Sequence, residues 1–488
     1  MIKPIIIEKS FTNKTKIPNY WKFMNNVSNE LINSDKLIPI SNDKGRFKKL
    51  ILEAIDNATE TIMLCSFILS DETIIASLLK AAERKVRIYL LFSTNIQLDK
   101  EHKEDPTEFD RKTLEEHKNF LRRIQGKALA HSSELHAKFL LVDYGFNKQI
   151  GFISTANFTK EALIRNQELG LILNSMEDIQ QLFYFFQRGF WEESTHVFAG
   201  DWIPIKERNL KPLSVKDRII STSKNNQSLK DNIISLINST TGPLIVSSYS
   251  FKSDNNLTNL LIDISLKRNL TVLTRPREIN VAALDKFLVK RVNILCYDFI
   301  HAKFILAPNE NQGIIMSANF DNKGLEIGYE IGVFLDESEC NELNNIAKIW
   351  IRNAQYKYVA SLGIEEINPS IIKIFENNEL REYEITPEKI IEQTEKPIDL
   401  REIENLKNIK FNGNFTYESI YPKKITIRRN IIPPILPTNS IKIKENPFPF
   451  DLYVNKNKRY LVIKNERQLK EAIDKYDKQL SNITLVTG

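Results

Sequence analysis

The run His136-Ala137-Lys138-Phe139-Leu140-Leu141-Val142-Asp143 returns 165 residues later as His301-Ala302-Lys303-Phe304-Ile305-Leu306-Ala307-Pro308. Behind each copy comes a second matched segment, Thr155-Ala156-Asn157-Phe158 and Ser317-Ala318-Asn319-Phe320. Eleven residues past each asparagine stands a glutamate, Glu168 and Glu330, followed by a short apolar run holding a glycine, Gly170 and Gly332. Three matched segments in one order mean a duplicated domain. The period lies far beyond the 20–50 residues of a solenoid repeat.

The flanking patterns agree. In residues 46–58, Phe47, Leu50, Ile51, Ala54 and Ile55 fall on one helical stripe. Ile62 to Phe67 reads as a buried strand, Asp71 to Arg84 as a helix with Ser70 or Asp71 as N-cap, and Val86 to Phe92 as a second strand. The order recurs as a helix over 229–238, a strand over 244–249, a helix over 257–266 and a strand over 270–273. Such alternation predicts a mainly parallel, layered α/β unit. With roughly 100–200 residues per domain, 488 residues allow two to four domains. The expected division is an N-terminal extension over 1–45, paired α/β domains over 46–212 and 213–360, and an accessory domain over 361–488.

Two residues apart on extended chain, His136 and Lys138 share a face, as do His301 and Lys303; Thr155 with Asn157 and Ser317 with Asn319 follow the same rule. Halves packed about a pseudo-twofold axis would bring both sets to one pocket. That pocket would hold two imidazoles, two ammonium groups, two carboxamides and two hydroxyls, a set suited to an anion. Two histidines add a nucleophile and a proton donor, the requirements of phosphodiester cleavage without a metal. The sequence has no HExxH, paired-Cys or clustered-Asp metal pattern, no GxxxxGK[ST] loop and no GxSxG elbow.

His-x-Lys-x-x-x-x-Asp followed by Ser/Thr-x-Asn, complete in the first copy and lacking only the Asp in the second, resembles the paired motif of the phospholipase D superfamily over roughly residues 46–360. The resemblance implies two tandem phospholipase D-like α/β/α sandwich domains related by pseudo-twofold symmetry, with a smaller C-terminal domain. It implies catalytic roles for His136, Lys138, Asn157, Glu168, His301, Lys303, Asn319 and Glu330, with Thr155 and Ser317 binding substrate and no metal or other cofactor. One histidine would form a phosphohistidine and the other would protonate the leaving group. The assignment taken here is His136 as nucleophile and His301 as acid, although the motifs are nearly symmetric. The lysines and asparagines would hold the phosphoryl oxygens, and the glutamates would orient the imidazoles. One departure stands out, because the motif aspartate, Asp143, is Pro308 in the second copy. Seven residues along a strand, Asp143 would face away from His136 and lie about 23 Å off. It therefore reads as structural, and its replacement as tolerable.

Composition bounds the function class. Three scattered cysteines (Cys65, Cys296, Cys340) give neither a disulfide framework nor a metal-binding spacing and suit a reducing cytoplasm. The sequence has no run of 18 apolar residues, and the apolar start, Ile5-Ile6-Ile7, is short for a secretory signal. The net charge of +6 is uneven: residues 361–400 carry 4 basic and 10 acidic side chains, whereas 421–488 sum to +8. That split suits solvated faces as well as it suits a polyanion site built on Lys423, Lys424, Arg428 and Arg429. Prolines 433, 434, 437, 447 and 449 mark a loop-like or extended stretch.

These features favour a cytoplasmic nuclease acting on nucleic acid, DNA ahead of RNA, with restriction or phage defence as a role by analogy and the C-terminal domain as a candidate surface for partner proteins. The alternatives are a phospholipase or phosphatidyltransferase, and a decayed nucleic-acid-binding module. Among other residues, His131 reads as an ordinary strand or loop residue, His102, His117 and His196 as surface groups, and Cys65 and the cluster Phe183 to Trp191 as core. Residues 100–120 read as a solvated helix without a counterpart in the second copy.

Overall fold

The computed structural model describes residues 3–4, 19–24, 31–104, 111–206, 218–223, 226–290, 292–359, 370–376, 379–385, 440–444, 448–455, 458–463, 468, 471 and 483–487. They fall into two compact units, one of residues 24–357 and one of residues 1–23 with 358–488.

The larger unit holds both copies of the repeat, each on its own mixed sheet. In the first sheet the strands run Trp202–Pro204, His196–Phe198, Leu129–Ser132, Arg87–Phe92, Thr61–Cys65, Phe139–Val142, Ile150–Ser154, Leu169–Leu173 and Leu37–Pro39. Thr61–Cys65 pairs parallel with Arg87–Phe92, which pairs parallel with Leu129–Ser132; from Phe139 onward the pairings are antiparallel. The second sheet repeats this with Asn293–Cys296, Leu270–Thr274, Leu244–Ser247, Phe304–Ala307, Gln312–Met316, Glu330–Phe334 and Ile219–Thr222 in spatial order. The expectation of a mainly parallel sheet is thus corrected. Parallel neighbours need a crossover helix, but short turns follow Val142 and Ala307 and fold the chain back as hairpins. The first sheet also takes in Leu37–Pro39, ahead of residue 46, where the repeat begins in sequence.

Local chemistry explains the helices. Asp71 caps Glu72–Glu83 by accepting from the Thr73 and Ile74 amides, and Asn255 caps Asn256–Ile264 through Leu257 and Thr258. Arg46–Asn57 buries Phe47, Ile51 and Ile55, each contributing roughly 1.5–3 kcal/mol. Strand alternation sends Leu140 and Val142 to the outer core of the first copy, while Phe139 and Leu141 join a core shared with Phe304, Leu306, Ile331 and Trp350 of the second. Arg218 clamps the copies together, donating to Asp178 (2.6 Å) and to Glu339 on the helices Met176–Gln187 and Glu337–Arg352.

Two further sequence readings change. Residues 100–120 do have a counterpart in part. The helix Arg111–Ile124 joins the second and third parallel strands as Glu278–Val289 does in the other copy, and it buries Leu114, Phe120, Leu121 and Ile124. His117 lies on that buried stripe, not on the surface. Its Nδ1 is 3.1 Å from the Leu69 carbonyl, its ring meets Phe92 edge-on, and burial pushes its pKa down to about 4. Phe185, Phe186 and Phe190 are core as expected, and so is Cys65, but Tyr184 and Trp191 of the same cluster are about half exposed on the outer face of the helix and the turn after it.

In the smaller unit, Ser370–Glu376 and Glu379–Ile385 form a hairpin joined by Tyr20–Phe23 and, in parallel, by Lys3–Pro4. A second sheet holds Ile441–Lys442, Leu452–Asn455, Lys458–Ile463 and Ile483–Thr487. Part of the expected N-terminal extension therefore belongs with the C-terminal residues. Lys423, Lys424, Arg428 and Arg429 lie outside the described residues, as do Pro433, Pro434, Pro437 and Pro447.

Candidate active site

His136 to Lys138 and His301 to Lys303 are extended segments just ahead of the strands Phe139–Val142 and Phe304–Ala307. Each is pinned by the other copy. The His136 and Ala137 amides donate to the Tyr329 carbonyl (both 3.0 Å), and those of His301 and Ala302 donate to the Gln167 carbonyl (3.0 and 2.8 Å). The residue after each acceptor is the matched glutamate. Its side chain therefore reaches across to the other copy's histidine: Glu168 Oε1 lies 2.6 Å from His301 Nδ1, and Glu330 Oε1 lies 3.3 Å from His136 Nδ1. This reciprocity is the pseudo-twofold relation at atomic scale.

Behind each pair sits a buried lysine. Lys138 Nζ donates to the His136 carbonyl; Lys303 Nζ donates to that of His301 (2.7 Å) and lies 2.9 Å from both ring nitrogens of His301. Each imidazole meets an aromatic ring of its own copy edge-on, His136 against Phe67 (5.1 Å) and His301 against Tyr249 (4.9 Å). Sequence reasoning missed this pair. The signal was available in the matched Ser66-Phe67 and Ser248-Tyr249, each just past a buried strand.

Burial pushes the carboxyls of Glu168 and Glu330 up. The facing histidine, the lysine behind it and a hydroxyl together outweigh that and hold both below the usual carboxylate range. The hydroxyls are Thr155 (2.5 Å to Glu168 Oε2) and Ser317 (to Glu330 Oε2). Expected as substrate ligands, Thr155 and Ser317 are instead buried donors to the glutamates, because each sits one strand over from its carboxylate. Burial, then the Lys138 charge, lowers the His136 pKa against the pull of Glu330. The His136 side chain is 22% exposed and that of His301 is 5%. Asn157 is buried with no partner at Oδ1, an acceptor left over for a ligand, while Asn319 Oδ1 lies 3.5 Å from Ser248 Oγ. Burial, aided by the Glu330 charge, pushes the Asp321 carboxyl up against the pull of the Gly324 amide, Lys252 and Lys303. Lys323 is lowered by burial and by Lys100 nearby.

Asp143 takes no part in this group. At φ +51° beyond the far end of its strand, it accepts from the amides of Thr59, Glu60 and Thr61 at 2.8–2.9 Å and from the Thr59 hydroxyl at 3.0 Å, tying the first helix–strand turn. Where Pro308 replaces it, Glu310 does the same work from two residues on: its Oε1 accepts from Thr241 (3.0 Å) and Gly242 (2.7 Å) in the matching turn. The departure from the motif is thus a relocation of one carboxylate.

Gly170 and Gly332 are explained by contact, not by backbone angle. A Cβ on Gly170 would stand 2.2 Å from the Phe47 ring, and one on Gly332 would stand 2.5 Å from Leu229 Cδ1. The first helix of each copy lies directly on the strand that carries its glutamate.

Residues 51–190 match a family model described as "Cardiolipin synthase, PLD-like domain". No curated protein matches the chain. Among solved structures, a polyphosphate kinase from Porphyromonas gingivalis is 15% identical with a TM-score of 0.46, covering 69% of this chain; the chain spans 51% of that protein's length. A phosphatidylserine synthase from Haemophilus influenzae Rd KW20 is 11% identical with a TM-score of 0.47, covering 72% of this chain and 91% of that one. Nuc, described as a phospholipase D family member from Salmonella typhimurium, is 18% identical with a TM-score of 0.25, covering 33% of this chain and 93% of that one. Residues 51–190 are thus a PLD-like domain, and its His-x-Lys, Ser/Thr-x-Asn and Glu elements recur at residues 301–330.

Proposed function

We propose that the chain is a metal-independent phosphodiesterase, a nuclease cutting DNA through a phosphohistidine. The observation that carries this reading is the pair of crossed His–Glu contacts, each backed by a buried lysine. The lowered pKa of His136 favours a neutral ring, and Glu330 at Nδ1 fixes the tautomer that leaves Nε2 free to attack phosphorus. The phosphorus–oxygen bond to the leaving group breaks, and His301 supplies that oxygen with a proton. Glu168, 2.6 Å from Nδ1, orients the His301 ring for that transfer, and Lys303, 2.9 Å from both ring nitrogens, stands ready to meet the phosphoryl anion. Water then attacks the phosphohistidine, His301 accepts its proton, and His136 leaves. Lys138, Lys303, Asn157 and Asn319 hold the phosphoryl oxygens, and the two hydroxyls hold the glutamates.

A polyanionic substrate is supported by Lys100, Lys252 and Lys323 around the group. Among the described residues no helix is long and apolar enough to cross a membrane. The competing reading, action on phospholipid, draws on the name of the matched family model. A panel of labelled DNA, RNA and phosphatidylcholine, each incubated with the purified chain, separates them. Cleavage of DNA with phosphatidylcholine untouched is expected; cleavage of lipid alone would overturn the nuclease reading. Restriction or phage defence is the role this activity would fit.

A further inference from the structure

The two sides of the pseudo-twofold site are not alike. Gln167 and Tyr329 hold equivalent backbone positions, each accepting from the other copy's motif and donating back, to Phe299 O (3.0 Å) and Glu134 O (2.6 Å) respectively. On one side Tyr329 is buried, stacked on Phe185 at 4.6 Å, with its ring where a Cβ on Gly189 would fall. Space there is filled by the protein's own side chain. On the other, the smaller Gln167 borders a cavity of about 220 Å³, lined also by Arg165, Phe299, Trp350, Asn353 and Gln355. Gln167 Oε1 is buried without a hydrogen-bond partner.

The charges differ in the same sense. Arg165 stacks on Phe299 at 4.2 Å; Arg275 lies 5.9 Å from Phe299 and 5.6 Å from Tyr249, and Arg277 lies 4.1 Å from Tyr249, the ring that touches His301. The Ser66 and Ser248 amides donate to Leu91 and Leu273, which aligns Arg275 with Ser93 and Arg277 with Asn95. Arg165 corresponds to Ile327 and Phe299 to Glu134. One side thus offers guanidinium and aromatic faces from His301 to the cavity; the equivalent positions on the other are Ser93, Asn95, Ile327 and Glu134, and its cations, Lys100 and Lys323, are lysines near Glu330.

We propose that this cavity receives a nucleobase of the strand being cut, with its phosphates on Arg165, Arg275 and Arg277. The proposal rests on the nuclease reading and gives the site a polarity. Aromatic and guanidinium planes stack bases of any sequence, and a buried amide oxygen accepts from a ring or exocyclic N–H. The volume is below the roughly 300–1,000 Å³ of drug-sized sites, which suits one ring system and not an acyl chain.

The test compares p-nitrophenyl esters of thymidine monophosphate, deoxyribose phosphate and phosphocholine, together with equilibrium binding of thymidine monophosphate and deoxyribose phosphate. The full chain should show a KM about 5- to 100-fold lower for the thymidine ester than for the base-free ester, the range one stacked base supplies. Phe299→Ala and Gln167→Leu should erase that preference, as should Arg165→Ala at its exposed position; Ile327→Ala, on the other side, should keep it. Equal KM for thymidine and base-free esters would overturn the base site and leave the phosphodiesterase reading standing. A preference for phosphocholine lost in the same variants would overturn it in favour of a lipid headgroup. If no ester is cut, Phe299-dependent binding of thymidine monophosphate over deoxyribose phosphate would uphold the pocket while the catalytic reading fails, and equal binding would overturn the pocket too.

Discussion

Glu168 and His301, 133 residues apart and in different copies of the repeat, lie 2.6 Å apart at Oε1 and Nδ1. Glu330 and His136 make the mirror contact. Neither copy therefore has a complete site alone. Glu168→Gln and Glu330→Gln should each lower kcat about 10²- to 10³-fold with little change in KM, since the carboxylates act through the histidines and not on substrate. The double variant should lose far less than the product of the two effects. Steady-state kinetics check this, and a rise in KM at unchanged kcat would speak against it.

Asp143 and Glu310 tie equivalent turns. Asp143, buried and bonded to three amides and a hydroxyl, should cost about 3 kcal/mol of stability on mutation to alanine, because buried N–H groups lose their acceptor. Glu310→Ala, nearer solvent with two such bonds, should cost about 1 kcal/mol. Chemical denaturation measures both, and activity per folded molecule should stay unchanged.

Gly170 lies under Phe47 with no room for a methyl group. Gly170→Ala should cost roughly 1–3 kcal/mol or more, and adding Phe47→Leu should return part of it. A double-mutant cycle in thermal unfolding reads the coupling. Additive losses would show that the two residues do not compete for space.

His117 gives stability a pH dependence. Its pKa in the folded chain is about 4, below the ordinary 6.5, so the unfolded chain binds more protons between those values. The contribution is fully present above pH 6.5 and is lost as pH falls through about 4, amounting to about 3 kcal/mol across the window. Denaturation at pH 7 and pH 4.5 should show a smaller difference for His117→Asn, whose amide can reach the Leu69 carbonyl, than for the natural chain.

Much of this was legible in the sequence because duplication prints each motif residue twice. The two copies, the strand–helix order and the eight candidate catalytic side chains were read from matched segments. What stayed hidden depends on three-dimensional exchange. No spacing says that Glu168 serves His301 instead of His136, since that follows from backbone pairing between copies. Glu310 escaped notice because a carboxylate on a turn can reach the same amides from a different position. The helix Arg111–Ile124 was hidden by its charged outer face, although its buried stripe aligns it with Glu278–Val289. His117 was misplaced for the same reason. Thr155 and Ser317 were assigned to substrate because residue type alone does not reveal which acceptor lies nearest.

The most direct measurement is cleavage of a labelled DNA oligonucleotide in excess EDTA by the natural chain, His136→Asn and His301→Asn. Two histidines acting as nucleophile and acid predict undiminished cutting by the natural chain, and a loss of at least about 10³-fold in each variant. Cutting that stops in EDTA and returns with a divalent cation, or that survives at the natural rate in either variant, would contradict it.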